Sequence, residues 1–248
     1  MKSFLLFSLL FVPLALLAQP KPPGKDKPVV LYSSPLIVTP KAKMTVVLRG
    51  QKLDTATEVK SGDANVTAKL VGKGKKATVP ANYPANKLGD TECEVELTFP
   101  KEFTSEQVAL TVTGPAGTSE LYNLVVVAKP TVEVEPNDSF AQAQPIVLPV
   151  TVEGTIGKER DVDVFKFEGK KGQTVTFEIV AARLGAPTDA LITLYDSAKG
   201  IVGIVDDTGD STDPIFKGTL PRDGTYFITV TDAADLGGPQ FGYRLKGR

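Results

Sequence analysis

The chain has 248 residues, no histidine, no tryptophan and a single cysteine, and its formal net charge at pH 7 is −1. The absence of histidine excludes the usual zinc sites and every nucleophile that depends on a histidine base. A single cysteine excludes an intramolecular disulfide, so stability must come from hydrophobic cores, with bound metal as a further source.

Charge is divided unevenly along the chain. Residues 1–132 carry 16 Lys and Arg against 11 Asp and Glu, whereas residues 133–248 carry 12 against 18. The acidic second half is therefore a candidate cation-binding region. Nothing in the charge pattern indicates a nucleic-acid partner.

The N-terminus has the pattern of a secretory signal peptide. Lys2 precedes an apolar run from Phe4 to Leu17, and the small residue Ala18 stands before a polar segment. The run of about 14 residues is shorter than the roughly 20 that a membrane-spanning helix needs. We therefore predict a signal peptide over 1–18, a Pro/Lys tether over 19–27, and a secreted or periplasmic protein without a membrane span.

Apolar and polar side chains alternate with a period of two from Pro28 onward. The apolar members of three such runs are Met44, Val46 and Leu48; Cys93, Val95, Leu97 and Phe99; and Val108, Leu110 and Val112. In the first run they alternate with Thr45, Val47 and Arg49, and this period is typical of half-buried antiparallel strands. Gly, Pro, Asn and Asp clusters separate the runs, so the pattern predicts an Ig-like β-sandwich over 28–128.

Two short segments of this first half resemble the Ig-like TIG/IPT module. They are Gly50-Gln51-Lys52-Leu53, after the second strand, and Thr113 to Ser119, before the last one. The resemblance implies a structural or protein-binding role for residues 28–128.

Strand-like alternation resumes after Lys129-Pro130. The apolar positions are Phe165 and Phe167; Val175, Phe177 and Ile179; Ile192 and Leu194; Tyr226, Ile228 and Val230; and Tyr243 and Leu245. Seven or eight strands in about 115 residues predict a second sandwich, of jelly-roll type, over 131–248. The whole chain is thus expected to be all-β.

The second half also carries a series of motifs in a fixed order. They are Glu133 to Ser139, Gly154-Thr155-Ile156, Asp161 to Phe165, Leu191 to Asp196, Asp206-Asp207 and Asp223 to Val230. Together they resemble the bacterial pre-peptidase C-terminal domain across residues 131–248. The resemblance implies a non-catalytic domain of exported proteins, related to collagenase collagen-binding domains in which an acidic linker of this kind binds calcium.

Six oxygen-bearing side chains near the start of this half form a candidate calcium site. They are Glu133, Glu135, Asn137, Asp138, Asp161 and Asp163. Calcium takes six to eight oxygen ligands, and Asp161 and Asp163 share the core-facing side of a strand, where carboxylates are unfavourable without a cation or strong hydrogen bonds. The alternative is that Asp138 caps a turn and the other acids are solvated. The family resemblance favours calcium.

A second acidic loop contains Asp206, Asp207, Asp210 and Asp213. The loop lacks the Gly and Glu spacing of an EF-hand, and aspartates commonly bond their own backbone in turns. We interpret these residues as turn chemistry.

Three classes of function remain. The leading one is a secreted, non-catalytic binding or adhesion protein with a calcium-stabilised sandwich, whose partner is an extracellular or envelope protein or polysaccharide. The second is a structural spacer or envelope assembly component. The third and least favoured is a hydrolase that uses an acid pair, because two small filled sandwiches leave little room for a substrate cleft.

Overall fold

The computed structural model describes residues 26–80 and 83–248. The predicted signal peptide, residues 1–18, and nearly all of the predicted tether, 19–27, lie outside these residues. Within the described part of the chain, no helix is long and apolar enough to cross a membrane.

Within the described residues, the first half forms nine strands and one short α-helix. They are β1 Val29–Ser34, β2 Ile37–Val38, β3 Met44–Gln51, β4 Glu58–Ser61, β5 Thr67–Lys76, α1 Ala85–Leu88, β6 Thr91–Thr98, β7 Gln107–Gly114, β8 Gly117–Thr118 and β9 Tyr122–Val126. One sheet has the order β1-β3-β6-β5 and the other has the order β2-β9-β7-β4, with β8 on β7. Alternate residues of β6 and β7 are buried between the two sheets, as the period of two predicts.

Arg49 alternates with the core residues of β3 but is not exposed to solvent. Arg49 is buried, and its guanidinium donates from Nε to the carbonyl oxygen of Gly89 at 3.3 Å and from Nη2 to that of Thr78. The residues between β5 and β6 pass over the outer face of the sheet and cover this position. Alternation along a strand assigns a side to each residue but does not show which loop covers that side.

The second half consists of ten further strands. They are β10 Thr131–Val132, β11 Gln144–Pro145, β12 Val150–Thr155, β13 Asp163–Gly169, β14 Thr174–Val180, β15 Ala190–Tyr195, β16 Ile201–Val205, β17 Ile215–Thr219, β18 Gly224–Asp232 and β19 Gly242–Gly247. Two five-stranded sheets, β10-β12-β19-β14-β17 and β11-β13-β18-β15-β16, pack face to face. The predicted fold class, an Ig-like sandwich followed by a second β-sandwich, is confirmed.

The core of the second sandwich extends into the first half. Phe165, Phe177 and Tyr243 are among its largest buried side chains, and Tyr32 and Leu36 of the first half belong to the same buried cluster. The backbone N–H of Ile37 also donates to Glu153 Oε1 at 3.4 Å. The two sandwiches therefore share buried contacts.

The segment from β10 to β11, residues 131–145, joins both sheets of the second sandwich. β10 pairs in parallel with β12 of one sheet, and β11 pairs in parallel with β13 of the other. Between them, Phe140 packs edge-on against Tyr195 and Phe227, with ring centroids 5.1 and 5.0 Å apart. We refer to residues 131–145 as the linker. The linker places its acidic residues beside the first residue of β13.

Candidate metal centre

Asn137 fixes the linker against β13. Its carbonyl oxygen accepts the backbone N–H of Val164 at 3.0 Å, and its side chain is fully buried. Its backbone N–H donates to Glu135 Oε2 and its Nδ2 donates to Glu133 Oε1, both at 2.9 Å. These bonds turn the two glutamates towards the start of β13.

Glu133 and Asp163 meet at the hydroxyl group of Tyr243. This hydroxyl lies 2.7 Å from Asp163 Oδ2 and 3.1 Å from Glu133 Oε1, and it carries a single proton. Tyr243 is held over β12 because Gly154 has no side chain; a Cβ there would lie 2.4 Å from the tyrosine oxygen. The single hydroxyl proton of the buried Tyr243 therefore lies between the buried Asp163 and the half-buried Glu133.

Two buried oxygen atoms of this cluster, Asn137 Oδ1 and Asp163 Oδ1, have no hydrogen bond or ion pair, and their residues are both 0% exposed. A third buried oxygen, Asp161 Oδ1, accepts no hydrogen bond of good geometry and has only the Lys158 ammonium 3.3 Å away. Asp161 Oδ2 does accept the Gly157 N–H at 2.6 Å, which orients that carboxylate. Buried polar atoms in folded proteins nearly always have a partner, so the two unpartnered oxygens indicate a missing cationic or donor group.

The five carboxylates form two overlapping groups. Oxygen atoms of Glu133, Glu135 and Asp163 lie within 4.8 Å of one another, and so do those of Glu135, Asp138 and Asp161. Glu135 belongs to both groups. The structure thus brings the five carboxylates of the predicted site together, and Asn137 is hydrogen-bonded to two of them, Glu133 and Glu135.

The electrostatics of the cluster oppose its own ionisation. Burial, and then the charge of Glu133, raise the pKa of Asp163 to about 10. Burial also raises the pKa of Glu135, with smaller contributions from the neighbouring acids. A divalent cation would reverse these interactions, because it favours the ionised form of every carboxylate around it.

Two residues of the cluster were not predicted from the sequence. Lys158 Nζ lies 3.3 Å from Asp138 Oδ2 and 3.3 Å from Asp161 Oδ1, and these acids raise the pKa of the lysine. Tyr243 was assigned only to the core. Its period-two position did indicate burial, but nothing local indicates that its hydroxyl reaches Asp163, which is 80 positions away.

The donor set fits calcium. It consists of carboxylate oxygens and one amide oxygen, which are hard ligands, and no cysteine or histidine belongs to it. The two unpartnered oxygens belong to Asn137 and Asp163, and among the residues that the structure describes Lys158 is the only cationic side chain paired with the cluster, through Asp138 and Asp161.

The second acidic loop is organised differently. Asp213 is buried and accepts the backbone N–H groups of Ala181 and Ala182 at 2.9 and 2.8 Å, while Arg183 Nε donates to it at 2.7 Å. Asp206 and Asp207 are exposed and lie near Asp189. Asp213 thus orders a turn, whereas the exposed pair makes no such bonds.

Comparison with known proteins finds a family match within the second half. Residues 161–232 match the family model of the bacterial pre-peptidase C-terminal domain. The chain is also 36% identical over 100 residues to a probable subtilase-type serine protease of Deinococcus radiodurans, a stretch that is 39% of this chain and 14% of that relative. The resemblance predicted for the second half is confirmed, and the chain spans only a small part of the curated relative. The TIG/IPT resemblance of residues 28–128 stays a prediction.

Solved structures show more distant similarities. The pre-peptidase C-terminal domain of a collagenase from Bacillus anthracis aligns with a TM-score of 0.36 and 14% identity, over 47% of this chain and 100% of that one. A periplasmic inhibitor of g-type lysozyme from Aeromonas hydrophila aligns with a TM-score of 0.32 and 15% identity, over 48% and 100%.

Proposed function

We propose that this chain is a secreted, non-catalytic binding protein whose second sandwich is stabilised by calcium. The ligands would be Glu133, Glu135, Asn137, Asp138, Asp161 and Asp163. The observation that carries the proposal is the pair of buried, unpartnered oxygens, Asn137 Oδ1 and Asp163 Oδ1, beside five carboxylates that have one lysine between them. Bound calcium would supply the positive charge that Lys158 alone does not provide.

The residues around the cluster would hold the ligands in place before the ion arrives. The Thr155 N–H donates to Glu133 Oε2 at 2.8 Å and the Gly157 N–H donates to Asp161 Oδ2. Asn137 ties the linker to β13 through its carbonyl oxygen. With most of the ligands already oriented, the linker loses little conformational freedom on binding, which favours affinity.

The remaining parts of the proposal have separate support. The signal-like pattern of residues 1–18 supports export, and the absence of histidine together with the structural roles of the buried acids supports a non-catalytic role. The expected partner is an extracellular or envelope protein or polysaccharide.

Thermal unfolding of the exported chain with and without calcium tests the metal site. At a calcium concentration about 100 times the dissociation constant, binding to the native state alone adds about 2.7 kcal/mol, enough to raise the melting temperature by several degrees. Asp161→Ala should abolish most of this shift. Glu94→Ala, on the first sandwich, is the control and should keep it. Superimposable melting curves in chelator and in millimolar calcium would contradict the proposed calcium site.

A rigid structural spacer is a second candidate, and the contacts between the sandwiches favour it. Tyr32, Leu36 and Leu88 of the first half pack into the second core. A spacer needs such a fixed arrangement, whereas two independent binding modules do not. Pull-down from cell envelope or matrix distinguishes the two, because a spacer should retain no specific ligand.

A further inference from the structure

A cleft between the two sandwiches contains a buried arginine without a counter-ion. The cleft has a volume of about 740 Å³ and is lined by residues 103–107 and 125–128 of the first half and by Thr151, Arg244 and Lys246 of the second. Arg244 is only 8% exposed, and its Nε is fully buried without a hydrogen-bond partner. Among the described residues, no ion pair includes Arg244 or Lys246.

The acids nearest to these cations in the sheet are already engaged. Glu153 lies opposite Arg244 in the pairing of β12 with β19, but its Oε1 accepts the N–H of Ile37. Glu178 lies opposite Lys246 in the pairing of β14 with β19, but its Oε1 pairs with Arg183 Nη2 at 2.8 Å. Arg244 therefore has no direct ion pair in the cleft, although Glu178, Glu106 and Asp213 lie near enough to favour its charged form.

A buried cation is costly unless it is paired, so its persistence in a cleft indicates a ligand. Arg244 and Lys246 point to the same side of β19, about 7 Å apart along the strand. Guanidinium offers parallel N–H donors that match the two oxygens of a carboxylate. The cleft thus has the charge and the donor geometry for an anionic group.

The rest of the lining indicates what carries that group. Thr104, Gln107 and Thr151 offer neutral hydroxyl and amide groups, and Phe103 adds the one aromatic ring of the lining. Neutral polar groups beside an aromatic ring suit a hydroxylated ligand. A second cleft of about 370 Å³ shares Thr151 and Lys246 and extends the surface past Lys129.

We propose that this cleft binds an acidic sugar, with its carboxylate on Arg244 and Lys246 and its hydroxyl groups against the first sandwich. This proposal rests on the binding function proposed above and names the class of ligand for it. None of the six proposed calcium ligands takes part in the cleft. Glu106 lies on the rim as a competing carboxylate, so it lowers the affinity of the site for anions.

NMR titration of the isotopically labelled exported chain with sodium glucuronate tests the proposal, with glucose as the neutral control. Glucuronate should give saturable shifts centred on β19 and residues 103–107, and glucose should not. Arg244→Gln should weaken glucuronate binding at least about tenfold, as expected for a charged bidentate contact. Lys170→Gln removes an exposed charge elsewhere on the same sandwich and should leave binding unchanged.

Further variants and other anionic ligands distinguish an acidic-sugar site from a site for other anions. Glu106→Gln should tighten glucuronate binding, and Arg244→Lys, which keeps the charge but loses the paired donors, should bind with intermediate affinity. Tighter binding of sulfate or of a glutamate-rich peptide than of glucuronate would overturn the acidic-sugar assignment. Equal binding of glucuronate by the wild type and Arg244→Gln would contradict the proposed site in the cleft. So would a glucuronate titration of the wild type that does not saturate.

Stability provides an independent readout. Removing an unpaired buried charge should leave the melting temperature of Arg244→Gln unchanged or raise it. A drop of several degrees without ligand would assign Arg244 a structural role and contradict the proposal. Because calcium-dependent melting is measured separately, failure of the metal site and failure of this cleft give different results.

Discussion

At the scale of single residues, Asp163 has the most unusual environment in the molecule. It is fully buried, shares the Tyr243 hydroxyl with Glu133, and leaves one oxygen without a partner. In the metal-free protein its carboxyl group is stable only when protonated. A carboxyl group of this kind opposes folding at neutral pH unless a cation accompanies it.

This environment predicts that, in chelator, the stability of the protein falls as the pH rises. The folded-state pKa of Asp163, about 10, lies above the unfolded value, so the folded state binds more protons between these limits. The metal-free protein should therefore lose stability as pH rises from about 4 towards 10, with a lower melting temperature at pH 8 than at pH 5.5. Calcium should remove the difference. Asp163→Asn should also remove it, and should melt higher than the wild type in chelator at pH 8.

Lys158 is expected to compete with calcium. Its ammonium group contacts Asp138 and Asp161, so it partly neutralises the acids when no ion is bound. Lys158→Gln should lower the melting temperature in chelator and tighten calcium binding several-fold, as measured by calorimetric titration. Lys171→Gln, an exposed lysine without an ion pair, is the control. Weaker calcium binding by Lys158→Gln would show that the lysine supports the site.

At the scale of elements, an aromatic side chain holds the linker in addition to Asn137 and the pairing of β10 and β11. Phe140 contacts Tyr195 and Phe227, and Lys199 lies 5.3 Å from the centre of its ring. This packing holds residues 131–145 across the outer face of the sheet that begins with β11. Four of the six proposed ligands lie in the linker, so the aromatic contact should affect calcium affinity.

Phe140→Ala should therefore destabilise the protein by roughly 1–3 kcal/mol in urea unfolding, less than for a fully buried phenylalanine. It should also weaken calcium binding, because more of the linker must be ordered when the ion binds. Val147→Ala, at a side chain that is 84% exposed, should change neither quantity. An unchanged calcium affinity in Phe140→Ala would mean that Asn137 alone positions the linker.

Periodicity predicted the elements that form the cores, but not the contacts between distant strands. The position of Asp161 and Asp163 on the buried side followed from their parity with Phe165, and both are buried. The contact of Tyr243 with Asp163 and the cover over Arg49 depend on which strands and loops become neighbours. Side-chain alternation within one segment carries no information about such neighbours.

At the scale of the whole molecule, the two sandwiches are linked by more than the chain between them. Leu36 is buried beside Gly242, where a Cβ would lie 3.1 Å from its methyl group. Gly185 of the second half packs against the carbonyl oxygen of Leu31. The close approach at both glycines joins β1 and the residues that follow it in the first sandwich to β19 and the β14–β15 connection of the second.

Leu36→Ala should consequently destabilise the second sandwich, although the residue belongs to the first. The expected loss is roughly 2–4 kcal/mol, as for other buried leucines, seen as faster hydrogen exchange in β18 and β19. Leu121→Ala, at a leucine that is 66% exposed, is the matched control. Exchange that accelerates only within residues 28–128 would show that the sandwiches unfold independently.

β10 pairs in parallel with β12, and β11 pairs in parallel with β13. This arrangement affects which part of the second sandwich unfolds first. Each of these two-residue strands joins a partner, β12 or β13, that is already paired on its other side with β19 or β18. They can therefore detach without disturbing the rest of either sheet, and short edge segments of this kind open at low free energy. The amide hydrogen of Glu133, which bonds the Glu153 carbonyl at 2.9 Å, should exchange early through such local opening. The linker would then behave as a latch that releases before the sandwich unfolds, and calcium would set how often it is open.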